Sequence, residues 1–283
     1  MKLVSYEVKG ARSYGVVVEQ GVVDLRRALA EAPADLKTLL GRADWMAAVK
    51  AAIGGKKPDH ALSAVTLLPV IPNPDKIWCC GLNYGGHVRE AGRTVSEKPT
   101  FFLRTVDSQV AHGQAIARPR ESERLDYEGE IAVVIGRGGR RISEADAYKH
   151  IAGYACYNDG SVRDWQKHGA QWDPGKNFWR TGGFGPWLVS ADEIAPGQVL
   201  TLTTRLNGQV MQQASTDMLL HGIAAQIAYL STISPLNPGD VIVTGTPEGV
   251  GAVRQPPVWM KPGDTVEVEI DRVGVLRNTI ADD

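Results

Sequence analysis

The sequence predicts a β-rich α+β protein, and three observations carry that expectation. Short apolar runs bounded by Gly, Pro or polar clusters recur along the chain, as in IWCCGLN, TFFLR, IAVVIG and YACYND. Two further stretches, VLTLTTRLNG and TVEVEI, alternate with the period of two that marks a half-buried strand. Helical patterns are few and do not alternate regularly with strands, which argues against a wound parallel sheet.

Taken in order, the chain opens with three short strand patterns, KLVSYEV, YGVVVEQ and GVVDL. Three helical patterns follow, LRRALAEA, DLKTLLGRA and WMAAVKAAIGG, the last stopped by Gly54 and Gly55. A Pro-bearing stretch with Pro58, Pro69, Pro72 and Pro74 comes next, and a linker is expected near 60–72. This divides the chain into a small N-terminal α+β domain at 1–70 and a body at 71–283; the alternative is an N-terminal lobe packed onto one continuous domain. Within the body, Ser143 opens SEADAYKHI with Asp146 three residues on, the pattern of a capping box. LHGIAAQIAYLST reads as a helix. No internal repeat or low-complexity tract is present.

The 283 residues are 43% hydrophobic and 22% charged, ordinary for a globular protein with a substantial core. A net charge of −1 gives no basic field for nucleic acid or an anionic membrane. The N-terminal MKLVSYEVKG lacks the apolar core of a signal peptide, and no apolar run approaches the ~20 residues of a membrane span. Cys79, Cys80 and Cys156 lie in apolar strand patterns and read as small core residues. Three cysteines make no disulfide framework, so a cytoplasmic setting is expected.

LDYEGEIAVVIG places Asp126, Glu128 and Glu130 at the head of an apolar run. Side chains alternate faces along a strand, so Glu128 and Glu130 point the same way, their Cα atoms roughly 6.6 Å apart. Gly129 between them faces the other side and lets another segment approach. Carboxylates enter a core only when paired, neutralised or bound to a metal. The stretch is therefore either a solvated strand end or two ligands of a hard cation, with Asp159 of YNDGSVRDWQ as the candidate third.

Other motifs surround this one. His87 and Glu90 in CGLNYGGHVRE sit at i, i+3, neighbours on a helical turn, where a carboxylate can tune an imidazole as a general base. A surface turn is the plain alternative. Arg163 and Gln166 lie in the loop that follows Asp159, with Lys176 shortly after, and could bind an anionic substrate; ordinary solvated groups are the plain alternative. LNPGDVIVTGTPEGVG reads as a strand followed by a tight Gly/Pro loop whose N–H groups and Thr246 hydroxyl could approach a ligand. It lacks the Lys-Ser/Thr of a phosphate-binding loop.

Together these segments resemble the fumarylacetoacetate hydrolase family. IWCCGLNYGGHVREAG, KPTFFLR, LDYEGEIAVVIGRGGRRIS, GYACYNDGSVRDWQ, GKNFW, GPWLV and LNPGDVIVTGTPEGVG occur in the family's order across roughly residues 76–251. The resemblance implies a mixed β-sandwich roll or distorted barrel around the site, a small N-terminal domain and a homodimer. It implies Mg²⁺ or Mn²⁺ on Glu128, Glu130 and Asp159. His87 and Glu90 would activate water, Lys176 would stabilise developing negative charge, and Arg163, Gln166 and Thr246 would hold the oxygens of a small oxo acid. The implied reaction is hydrolysis of a carbon–carbon bond in a 2,4-dioxo acid such as an acylpyruvate or fumarylpyruvate, giving pyruvate or a related oxo acid and a carboxylic acid in aromatic or sugar-acid catabolism. Oxaloacetate decarboxylation and isomerisation of a 2-hydroxyhepta-2,4-diene-1,7-dioate type of substrate use the same metal–enolate chemistry.

The sequence departs from the family's common pattern after Gly175 and Lys176, where Asn177, Phe178, Trp179 and Arg180 stand. Arg180 is expected to meet a second substrate carboxylate, and Trp179 an apolar tail; packing or a dimer contact is the alternative. Glu128→Ala is expected to remove the metal without unfolding the chain.

Overall fold

The computed structural model describes all 283 residues and is strand-rich, with open sheets and few helices. The strand Gly129–Ile135 explains the layout. It is buried on both faces, which is why Ile131 to Ile135 form an unbroken apolar run. Ala132 and Val134 point into one core with Leu36, Leu39, Leu40 and Val49 of the N-terminal helices. Ile131, Val133 and Ile135 point into a second core with Leu202, Val268 and Ile227.

The large sheet is built outward from this strand. On one side lies Ile151–Asn158, then Gly182–Ser190, then Lys2–Val8 and the rest of the N-terminal strands. On the other side come Val241–Val243, a parallel neighbour Ile77–Gly81, and the edge strand Thr100–Arg104. A five-stranded sheet faces it, ordered Gln209–Ser215, Thr201–Leu206, Thr265–Ile270, Gly274–Asp282 and Ile116–Arg118. The helix Ile223–Ile233 closes the second core with Ile227 and Leu230. The sheets form an open roll.

The N-terminal segment is a lobe continuous with the body. Lys2 pairs with Val189, so its strands extend the large sheet, and Leu3, Tyr14 and Leu25 share a core with Tyr157 and Val243. The Pro-bearing stretch is tied in as well: Thr66–Leu67 pairs with Tyr6 and Glu7, and Ser5 Oγ donates to Val70 O at 2.9 Å. The first helical pattern covers only Leu25–Ala28; the chain beyond it is held by the Tyr14 hydroxyl, which donates to Pro33 O at 2.7 Å. Asp35 caps Leu36–Leu40 by accepting from Thr38 N at 2.7 Å. Ser143 does cap its helix, accepting from Asp146 N, but the turn over Glu144–His150 is of the tighter 3₁₀ kind. No helix is long and apolar enough to cross a membrane.

Candidate active site

The acidic stretch enters the core. Asp126, Glu128, Glu130 and Asp159 are all buried, which excludes the solvated strand end. The strand itself begins at Gly129, and Glu128 stands just before it, its N–H donating to Asn158 Oδ1 at 2.9 Å and its carbonyl accepting from Asp159 N at 2.8 Å. These two bonds clamp Asp159 beside the pair. Oxygens of Glu128, Glu130 and Asp159 lie within 4.8 Å of one another. Gly129 faces the opposite side, where a Cβ would stand 1.9 Å from Thr204 Oγ1; only glycine lets the second sheet come this close.

The charges around these groups are unequal. Lys176 Nζ sits 2.5 Å from Glu128 Oε2 and 2.6 Å from Asp159 Oδ2, above the Phe102 ring at 4.9 Å. Arg163 Nε meets Asp126 Oδ2 at 2.8 Å, and its Nη2 lies 2.7 Å from Glu128 Oε1. Arg104 pairs with Asp159 and donates to Gly160 O at 3.0 Å and Thr181 Oγ1 at 2.9 Å. Four buried carboxylates thus face three buried cations, and Glu130 is the one without an ionic partner. Its only donor is the N–H of Gly245.

The proton affinities follow. Burial, reinforced by the Asp159 and Glu128 carboxylates, pushes Glu130 well above the usual carboxylate range. Burial acts on Glu128 in the same direction, but Arg163 and Lys176 outweigh it and hold that carboxyl well below its ordinary value. Burial disfavours the Lys176 ammonium, yet Asp159 and Glu128 outweigh it and raise its affinity for the proton. Burial raises Asp126, opposed by Arg163.

A divalent cation fits this arrangement. Three carboxylates supply the oxygen ligands that Mg²⁺ or Mn²⁺ prefer, and their spacing is on the order of twice a ~2.1–2.4 Å metal–oxygen bond. The uncompensated Glu130 carboxylate supplies the charge for it.

The short helix Gly85–Glu90 carries the imidazole–carboxylate pair. His87 Nδ1 is 2.7 Å from Glu90 Oε1, and Glu90 Oε2 accepts from Gly249 N at 2.8 Å. His87 Nε2 makes no hydrogen bond within the chain. Upstream, the Asn83 amide fixes the approach to this helix by donating to Thr244 O at 2.7 Å and to His221 O at 3.0 Å.

The glycine-rich loop differs from its expected use. Its amides serve the protein's own carboxylates: Gly245 N meets Glu130, Gly249 N meets Glu90, and Gly251 N and Ala252 N meet Asp126 at 2.7 and 3.0 Å. Gly245 adopts φ +112°, a backbone state that favours glycine, and a Cβ there would stand 2.6 Å from Asn83 Cβ. The Thr246 hydroxyl donates to Gly129 O at 3.0 Å and accepts from Gln212 Nε2 at 2.8 Å.

One cavity of about 710 Å³ unites these groups. Its lining includes His87, Glu90, Glu128, Glu130, Asp159 and Lys176, and also Arg163, Gln166 and Thr246. Arg180 is not part of it. The Arg180 guanidinium lies over the Trp179 ring at 5.1 Å and reaches Gln114 Oε1 at 3.4 Å, while Trp179 is 53% exposed. The residue takes φ +54° and its N–H donates to Asp107 O, which turns the side chain away from the carboxylates. Asp126, Arg104 and Gln212 are the buried polar groups that the sequence did not mark as site residues. Gln212 accepts from Gly129 N at 3.0 Å and donates to Thr246 and Pro247, joining the acidic strand to the glycine loop. The three cysteines are buried and unpaired, as their strand contexts suggested.

A strand-rich roll with a buried triad of carboxylates beside a His–Glu pair is an arrangement suited to a divalent cation, and comparison with known proteins gives the family. The model of the fumarylacetoacetate hydrolase C-terminal domain matches residues 76–281. The chain belongs to this family. Among curated relatives, a mitochondrial oxaloacetate tautomerase of Xenopus laevis is 37% identical over 287 aligned residues, covering 99% of this chain and 90% of the relative. Among solved structures, the maleylpyruvate hydrolase of Sphingobium sp. SYK-6, in complex with manganese(II) and pyruvate, superposes with a TM-score of 0.82 at 27% identity, covering 100% of this chain and 99% of that one. The 2-hydroxyhepta-2,4-diene-1,7-dioate isomerase of Mycobacterium marinum superposes with a TM-score of 0.77 at 29% identity, covering 100% and 98%.

Proposed function

We infer that this protein is a divalent-cation-dependent enzyme that moves a proton on the enol side of a 2-oxo acid, with keto–enol tautomerisation of oxaloacetate as the reaction the site supports best. The observation that carries the reading is the His87–Glu90 pair on the same cavity as the three carboxylates. The full-length relatedness to an oxaloacetate tautomerase supports it.

Glu128, Glu130 and Asp159 would hold Mg²⁺ or Mn²⁺, which when bound would polarise a 2-oxo group and make the adjacent C–H acidic. Glu90, itself held by Gly249 N, fixes the His87 ring through Nδ1 and leaves Nε2 to carry a proton between the C3 carbon and the C2 oxygen, so that one gains what the other loses. Lys176 has two of its three N–H donors on Glu128 and Asp159, and the third remains for an oxygen that gains negative charge. Arg163 is held by Asp126 and Gln166, so its charge is oriented before substrate arrives.

A second reading is hydrolysis of a 2,4-dioxo acid. It is favoured by the cavity, whose roughly 710 Å³ exceeds what a four-carbon acid fills and sits in the range of sites for larger ligands. The same His87 Nε2 would then take its proton from water. The likeness to a maleylpyruvate hydrolase agrees with this reading.

One experiment tests both. Chelator-stripped protein is given Mg²⁺ or Mn²⁺ and offered oxaloacetate enol in deuterated buffer, with acylpyruvates in parallel. Metal-dependent acceleration of enol loss with deuterium entering C3 is the expected result. Release of pyruvate and a carboxylic acid from an acylpyruvate, without enol turnover, would replace the first reading by the second. A homodimer is also proposed from the family resemblance, and sedimentation of the purified chain checks it.

A further inference from the structure

Beside the main cavity lies a smaller recess of about 300 Å³, lined by Arg124, Arg163, Lys167, Ala252, Pro257 and Trp259. Three of its six lining residues are cationic and none is acidic. Arg163, Lys167 and Ala252 line both spaces, so the recess opens onto the cavity that holds the carboxylates.

The cations here differ from those around the triad. Arg124 and Lys167 make no side-chain hydrogen bond and no ion pair within the chain, although the backbone places both firmly. Arg124 N donates to Ser122 Oγ at 3.0 Å, the Arg124 carbonyl accepts from Arg163 N at 3.0 Å, and Lys167 N donates to Asp164 O at 3.1 Å. Arg163 is buried and is held by Asp126, Gln166 and Glu128 through Nε, Nη1 and Nη2, so its guanidinium is fixed where the recess meets the cavity. Two exposed cations without a partner beside a fixed guanidinium, with no acidic group in the lining, give the recess a positive field that suits an anion.

We propose that this recess is a second-anion subsite that takes the distal carboxylate of the substrate and selects 2-oxo dicarboxylic acids over their monocarboxylic counterparts. The inference rests on the 2-oxo-acid reading of the main cavity and adds the substrate class to it. With one end of the acid among Glu128, Glu130, Asp159 and Lys176, the distal end of a short chain enters the recess past Arg163 and meets Lys167 and Arg124. Ala252, which lines both spaces, adds little bulk there, and Pro257 and Trp259 complete the lining of the recess. This is the role that the sequence suggested for Arg180, and the structure gives it to cations that line the cavity.

The test uses two non-cleavable probes of equal carbon count, 2-oxoglutarate and 2-oxopentanoate, which differ in a terminal carboxylate against a methyl group. Calorimetric titration of the full Mn²⁺-loaded chain is expected to show 2-oxoglutarate bound at least about tenfold more tightly, about 1.4 kcal/mol. In the R124M/K167M double variant that preference is expected to disappear through weaker 2-oxoglutarate binding, with 2-oxopentanoate unchanged. Equal binding of the two probes by the wild-type protein would overturn the subsite while leaving the 2-oxo-acid site in place. An undiminished preference in the double variant would overturn it too. Binding of neither probe would overturn both this inference and the reading it rests on.

Discussion

The two ends of one short stretch are equally buried and chemically opposite. From Ile131 to Ile135 every side chain is apolar and faces one of two cores. From Asp126 to Glu130 the same chain buries three carboxylates, and Asp159 adds a fourth. The apolar end is stabilised by leaving water. The acidic end is stable only through what surrounds each charge, and there the compensation is uneven: Glu128 has Lys176 and Arg163, Asp159 has Lys176 and Arg104, and Glu130 has a single backbone N–H. Burial alone therefore does not separate a core from a site; the balance of charge around the buried group does.

The comparison can be broken most forcefully at Glu130. Glu130→Gln removes a carboxyl group that has no ionic partner, so metal-dependent turnover is expected to fall at least about a thousandfold while the metal-free chain keeps or gains stability. Thermal melting in chelator alongside turnover with Mn²⁺ checks this, and a large loss of metal-free stability would contradict it. Glu128→Ala separates the two carboxylates further. It leaves the Lys176 ammonium with Asp159 and the Arg163 guanidinium with Asp126, each without its second carboxylate, and a stability loss of about 1–3 kcal/mol is expected in denaturant titration. This revises the expectation from sequence that the substitution leaves the fold untouched.

At the His87–Glu90 pair, His87→Ala is expected to lower kcat by about 10²–10⁴-fold with Mn²⁺ binding retained, since it removes the proposed proton-transfer group and leaves the three carboxylates in place. Single-turnover rates beside a metal titration read the two effects separately. At the apolar end, Ile131→Ala is expected to cost about 2–4 kcal/mol of stability with metal affinity unchanged, because its side chain faces the second core and not the cavity. The smallest effect belongs to Arg180→Ala: KM is expected to stay within about twofold for mono- and dicarboxylic acids alike, because the guanidinium lies outside the cavity. A selective rise in KM for dicarboxylic acids would return Arg180 to the site.

What the sequence made legible is what lies close together along the chain. The in-phase Glu128 and Glu130, the turn that joins His87 to Glu90, and the strand that places Asp159 are all short-range patterns, and the structure brings those residues into one cavity. Arg104 was illegible because it reaches Asp159 from an edge strand 55 positions away, and nothing in TFFLR marks its last residue as buried. Gln212 was hidden likewise, since its role depends on two sheets meeting at Gly129. The use of the glycine loop was half legible: the tight backbone and the free N–H groups were readable, but not that Asp126, Glu130 and Glu90 would take them. The prolines near residue 70 suggested a boundary, whereas strand pairing at Lys2 and Tyr6 carries one sheet across it.

The most direct measurement is calorimetric titration of Mn²⁺ into chelator-stripped wild-type protein and into Glu130→Gln. The account predicts one ion per chain in the wild type and at least about a hundredfold weaker binding in the variant. Equal affinity and stoichiometry in the two proteins would contradict it, because the carboxylate that lacks a cationic partner would then have no part in holding the metal.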